Sequence, residues 1–270
     1  MVVLCLLLAA VLPRVGAAAD SFSPGGAPFY TLDSVTHAAT NQAGALAPNT
    51  IASLYGVNLS WETVAVKELK NGSQLPVTLP NAGVHVMIGG ILAPLYYVSP
   101  TQVNFVTPAM LAPGRYDLEL VRDGRSGPAV PVVIAAAAPG LFSHQGWVLA
   151  NRASGELVDP SNPAIPGEAI VLYGTGFGQT SPSLTDGLVP RTPTRIPEGV
   201  EIKVTLDGVD VSDGVFYVGV TPGYAGLYQV NLKLPENVPP DPEIVVAIRG
   251  AASPPNVRLP VQRSRNSSQP

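Results

Sequence analysis

Cysteine is almost missing from this chain. Its 270 residues contain one, Cys5, inside an apolar run near the start. No internal disulfide can form, and the rest of the chain has no thiolate for catalysis or metal binding. Histidine is nearly as scarce, and His37, His85 and His144 are too scattered to suggest a ligand cluster. Charge is low as well, at 13 % of residues, against about 25 % in an ordinary globular domain. The 15 basic and 19 acidic residues leave a net charge of −4, with no long run of either sign. That excludes the clustered basic face that nucleic acid requires. No amphipathic helix of useful length can be traced.

What the chain does have is turn formers. It carries 27 glycines and 29 prolines, about a fifth of all residues. Breakers at that density exclude a coiled coil or helical bundle, and the glycines show no collagen-like period of three. Disorder is excluded by a hydrophobic content of 46 %, which leaves ample apolar surface to bury. The remaining class is all-β, with short strands and many turns. At roughly 150 residues per domain, the length suits two domains.

Residues 2–12 are unbroken apolar sequence, followed by Pro13, Arg14 and the small residues Gly16, Ala17, Ala18 and Ala19. This pattern predicts a secretory signal over residues 1–19. The run is shorter than the ~20 apolar residues that span a bilayer. Cys5 precedes the place where a lipoprotein anchor would need it. No Lys or Arg precedes the run, so the true start codon stays open. The mature chain is expected to be exported to the periplasm, the cell surface or the medium, without disulfides and without a membrane span.

One unit is written twice. Leu54-Tyr55-Gly56 returns as Leu172-Tyr173-Gly174, and Val84 to Gly90 returns as Ile202 to Gly208. Both latter stretches are alternating strands that end in a Gly-Gly or Asp-Gly hairpin turn. The aromatic strands Leu95 to Val98 and Val215 to Val218 follow, then Ser99-Pro100 and Thr221-Pro222. Gln102-Val103-Asn104 matches Gln229-Val230-Asn231, and Tyr116 to Gly124 matches Glu243 to Gly250. Turn signals every 8–12 residues are the spacing of an immunoglobulin-like sandwich. The expected architecture is therefore two tandem immunoglobulin-like β-sandwiches from an internal duplication, joined by a short β-hairpin connector. The boundaries are a signal at 1–19, a lead segment at 20–46, sandwich one at 47–137, the connector at 138–166, sandwich two at 167–262 and a disordered tail at 263–270. The connector is expected to turn at Ala153-Ser154-Gly155. Leu141, Phe142 and Trp147 should pack between the sandwiches and hold them as one body.

Several stretches together resemble the uncharacterised C-terminal domain family of Solibacter-type acidobacterial secreted proteins. They are Ala93 to Phe105, Ala138 to Phe142, Asn162 to Gly167, Val171 to Gly178 and Thr221 to Asn231. They occur in family order and span most of the chain from Ala47 to Val261. Each unit also looks similar to the IPT/TIG class of immunoglobulin-like domains. The resemblance implies an exported β-sandwich module of the kind found at the end of longer surface or secreted proteins. It carries over no catalytic or binding residue. Two departures stand out. Here the module follows the signal almost directly, and the connector has Asn151-Arg152-Ala153-Ser154-Gly155 in place of the usual Asn-x-Asp-Gly-Ser turn.

Catalytic patterns are weak. No Gly-x-Ser-x-Gly elbow occurs, and Ser126 sits in a hairpin turn. Gly174 to Gly178 mimics a phosphate loop, but no helix follows to hold an anion. Asp207, Asp210 and Asp213 put three carboxylates within seven residues. Ca²⁺ would accept such oxygens, but the spacing fits no calcium loop, and two consecutive turns need the same residues. No cofactor and no metal is expected. Exposed aromatics could stack on a sugar, and Trp147 and Tyr224 are the leading candidates. Gln102, Asn104, Gln229 and Asn231 look structural. Each Gln and Asn share one strand face, and each Asn is expected to tie a neighbouring loop by side-chain-to-backbone hydrogen bonds. The expected function is non-enzymatic: a structural, adhesive or protein-interaction module at the cell surface. The alternative is a carbohydrate-binding module of a secreted polysaccharide-processing system. The partner is then another surface protein or a glycan.

Overall fold

The computed structural model describes residues 25–263. The expected signal segment, Cys5 and the polar tail after residue 263 lie outside them. The described chain is all-β, with only two short 3-10 turns, Leu32–Ser34 and Ser212–Gly214. No helix among the described residues is long and apolar enough to cross a membrane.

Two pairs of antiparallel sheets enclose two cores. The first pair has a six-stranded sheet in the order Gln42–Ala43, Val35–His37, Ile51–Tyr55, Gln102–Val106, Leu95–Val98 and Val64–Ala65. It faces a sheet built on Val84–Ile88 and Gly114–Arg122. In Val84–Ile88, Val84, Val86 and Ile88 are wholly buried while His85 and Met87 are not, because alternate residues of a strand face opposite sides. The second pair has a seven-stranded sheet centred on Ala169–Thr175, Tyr228–Lys233 and Val215–Val220. It faces the sheet of Ile202–Leu206 and Ile244–Ile248.

The two pairs match in register. Tyr55 pairs Gln102 as Tyr173 pairs Gln229, and Leu54 pairs Val103 as Leu172 pairs Val230. Each has a bulge in its aromatic strand, between Leu95 and Tyr97 and between Val215 and Tyr217. Equivalent hairpins turn at Gly89-Gly90 and Asp207-Gly208, with positive φ at both positions of each. That is the backbone twist of a two-residue turn between right-twisted strands.

Two stretches expected outside the sandwiches supply strands to them. Residues 20–46 contribute Val35–His37 and Gln42–Ala43 to the first large sheet. The connector hairpin, Ala150–Arg152 and Leu157–Val158, joins the second. Leu141 lies in the second core and Phe142 in the seam between the cores. Trp147, also expected in the seam, instead sits half-buried on a small hairpin with Ser143–His144, bridged to Arg258. Its strand runs along the second sandwich and so keeps it away from the junction.

That seam is extensive. Ile51, Val106, Phe142, Val189 and Leu227 form a third apolar cluster. The Thr175 hydroxyl accepts from the Ile51 N–H at 2.9 Å and donates to the Gly226 carbonyl at 2.7 Å. The Tyr96 hydroxyl donates to the Ala225 carbonyl at 2.6 Å. Residues 72–75 run antiparallel to 187–189, with Gly72 N–H to Val189 O at 2.7 Å and Leu75 N–H to Gly187 O at 2.9 Å. Gly226 allows a close approach, since a Cβ there would stand 2.7 Å from the Asn49 carbonyl.

Candidate functional site

The outer face of the second large sheet gathers amides and phenols. Val230, Leu232, Ile170 and Leu172 point into the core, so alternation turns Gln229, Asn231, Val171 and Tyr173 outward. The strand pairing then sets two rows across the sheet. One runs through Tyr173, Gln229 and Gly219, with Leu149 beside Tyr173 through the Tyr173 N–H to Leu149 O bond. The other runs through Asn151, Val171, Asn231 and Tyr217.

The Gln229 Nε2 donates to Asn231 Oδ1 at 2.9 Å. In the first unit Gln102 Nε2 donates to Asn104 Oδ1, also at 2.9 Å. This corrects the expectation of side-chain-to-backbone ties. Residues two apart share a face, and the longer Gln amide reaches its neighbour before it reaches a loop. In the first unit the loop is held by Ser99, whose hydroxyl accepts from the Gln102 N–H at 2.9 Å. In the second, the Thr221 N–H bonds the Leu227 carbonyl instead.

The two amide pairs differ in access. Gln102 and Asn104 are 6 % and 5 % exposed, while Gln229 and Asn231 are half-buried. Asn104→Ala should therefore lower stability by about 1–2 kcal/mol, because it strands a buried amide. Asn231→Ala should stay within about 0.5 kcal/mol of the parent. Denaturant melts check this, and equal losses in the two variants would contradict it.

Tyr224 packs against the seam together with Tyr173 and Tyr96. Burial, with Tyr224 alongside, pushes the Tyr173 phenol up, and burial raises that of Tyr96 further. These hydroxyls stay protonated and neutral at physiological pH, so they offer hydrogen bonds and ring faces rather than a base. Tyr217 lies under the Arg195 guanidinium, 4.8 Å from its ring centre. The structure thus brings Tyr224 to the Tyr173 row and leaves Trp147 on its own hairpin. The outward rows were legible from strand alternation, but their convergence on Tyr224 needed the pairing register.

Two carboxylates of the acidic cluster are engaged in turns. Asp207 Oδ1 accepts from the Glu243 N–H at 2.8 Å. Asp210 Oδ1 accepts from the Ser212 N–H at 2.9 Å and its hydroxyl at 2.5 Å. The Ser212 hydroxyl is the main reason the Asp210 carboxyl lies below its usual range. Among the described residues, no group of three His, Cys, Asp or Glu side chains is placed to hold a metal ion. A shallow cleft of about 200 Å³ opens elsewhere, between Thr40, Gln42, Ser143 and Asn256.

No protein-family model and no curated protein matches the chain. Solved structures do overlap with it. The surface glycan-binding protein PbSGBP-B of Prevotella bryantii is 12 % identical with a TM-score of 0.26, over 84 % of this chain and 41 % of that one. The SGBP-B of the Bacteroides ovatus mixed-linkage glucan utilization locus, in complex with a heptasaccharide, is 14 % identical with a TM-score of 0.34, over 92 % and 46 %. The tandem Ig repeats of Dlar are 11 % identical with a TM-score of 0.22, over 88 % and 96 %. The chain spans less than half the length of the two glycan-binding proteins.

Proposed function

We propose that the chain is an exported, non-enzymatic module of two immunoglobulin-like sandwiches, produced by internal duplication and locked into one rigid body. Its role is structural, adhesive or protein-binding at the cell surface. The observation that carries this reading is the seam. Its apolar cluster, the Thr175 bridge and the antiparallel pairing of 72–75 with 187–189 join the units over a broad front. Inter-domain contacts that extensive and apolar oppose the relative motion otherwise expected of tandem domains. The resemblance to acidobacterial secreted modules supports the exported setting, as does the apolar run before Pro13.

The role is tested on the purified chain in two ways. A serine-reactive probe should leave it unlabelled, and limited proteolysis should find 135–167 resistant, because that stretch is threaded into the second sandwich. Probe labelling with hydrolytic turnover would overturn the non-enzymatic reading. Rapid cleavage into two stable halves would overturn the rigid one.

A further inference from the structure

We propose that the outer face of the second large sheet, built on Tyr173, Gln229, Asn231 and Asn151 with Tyr224 at its seam end, is a binding platform for an uncharged oligosaccharide. The inference rests on reading the chain as a binding module rather than an enzyme. Four facts on the face point the same way.

The first is unfilled hydrogen-bonding capacity. An amide offers two donors and an acceptor that takes two bonds. The Gln229–Asn231 bond fixes both side chains in place and leaves the Asn231 NH₂ and the Gln229 oxygen without a partner among the described residues. Two strands away, across Val171, the Asn151 oxygen is buried and has no partner. Sugar hydroxyls both donate and accept, and so complement such a set.

The second is ring surface held rigid. Tyr173 and Tyr224 are half-buried against the seam, so little side-chain freedom remains to be lost on binding. The third is charge. Neither row carries a carboxylate. Arg195 is stacked over Tyr217, and Lys233 stands one row further, opposite Ala169. An acidic ligand would find few cations here and a basic one no anion. The face crosses four strands, which at about 4.8 Å spacing gives roughly 14 Å, the reach of a short oligosaccharide.

The fourth is the comparison within the chain. The first unit has Tyr55, Gln102, Asn104 and Tyr97 at the same register, but there both amides are buried. The same amide pair is buried in one unit and half-buried, within reach of a ligand, in the other.

The experiment is native electrophoresis of the purified chain through gels containing starch, xyloglucan, galactomannan or a linear β-glucan, with polygalacturonate as the charged comparison. The proposal expects retardation by at least one neutral polysaccharide. It also expects affinity to fall at least ten-fold in Asn231→Ala and in Tyr173→Leu, the latter keeping an apolar side chain against the seam. Melting curves confirm that both variants fold. Four results would overturn the platform: no retardation by any neutral polysaccharide, retardation by polygalacturonate alone, binding unchanged in both folded variants, or binding lost only in Trp147→Ala. None of these outcomes bears on probe labelling or proteolysis, so the rigid non-enzymatic reading stands or falls separately.

Discussion

Replacing Arg122 with Ala should destabilise the protein by about 2–5 kcal/mol, through two lost hydrogen bonds from a charged donor and the lost packing of a buried side chain. Arg122 ends the Gly114–Arg122 strand and is wholly buried. Its Nη1 donates to the Asn58 carbonyl and its Nη2 to the Gly26 carbonyl, each at 2.6 Å. The guanidinium lies 3.9 Å from the centre of the Trp61 ring, and the Trp61 indole donates to the Asp123 carboxylate. One side chain thus ties the first described residues and the turn at Asn58 to the top of the first core. Truncation removes both bonds and leaves a cavity beneath Trp61. Val84 pairs with Arg122 as Ile202 pairs with Ile248, so the second unit fills the equivalent position with an aliphatic side chain. Arg122→Met restores volume but not the two bonds, and should recover only part of the loss. Urea melts measure both variants. A midpoint unchanged in Arg122→Ala would contradict this account of the position.

The second large effect is acid sensitivity at His37. Its ring is buried in the seam, packed on Gly140 and on Gly176, where a Cβ would stand 2.7 Å from Nε2. Nδ1 accepts from the Ala39 N–H at 3.3 Å, so the neutral ring carries its proton on Nε2. That nitrogen faces the backbone of Ala138 and Thr175 without a full hydrogen bond. Burial lowers the pKa from 6.5 to about 4, and only those backbone groups oppose the shift. A second proton would sit on Nδ1, against the Ala39 N–H. Because the unfolded chain takes up that proton at higher pH than the folded one, stability present above pH 6.5 is lost as pH falls toward 4. The linkage amounts to about 3 kcal/mol over that window. Carboxylates titrate in the same range, so the readout is a difference between proteins. His37→Asn keeps an acceptor for the Ala39 N–H, and its stability should change by about 2 kcal/mol less than the parent's between pH 7 and pH 4.5. Parallel pH profiles for the two would contradict the assignment.

Much of the fold was legible in the sequence because strands write their faces at period two. Val84 to Ile88 and Ile202 to Leu206 show their buried sides directly, and the positions of Tyr173 and Gln229 on an outer face follow from the same rule. Short strands were harder. Val35–His37 has three residues, all buried, and three residues carry no readable alternation. Long-range ties were invisible. Arg122 reads as the polar end of an alternating strand, and nothing in the string shows the chain at Gly26 returning to it from 96 residues away. The same holds for Thr175 and Ile51, 124 residues apart. Trp147 and Tyr224 both read as exposed aromatics in the sequence, but exposure depends on which strands pair, and pairing separates them.

The central claim is that the seam makes one cooperative body of the two sandwiches. Scanning calorimetry of the purified chain tests it most directly. The account predicts a single unfolding transition whose calorimetric and van't Hoff enthalpies agree. Two resolved transitions, each with the enthalpy of about half the chain, would contradict it.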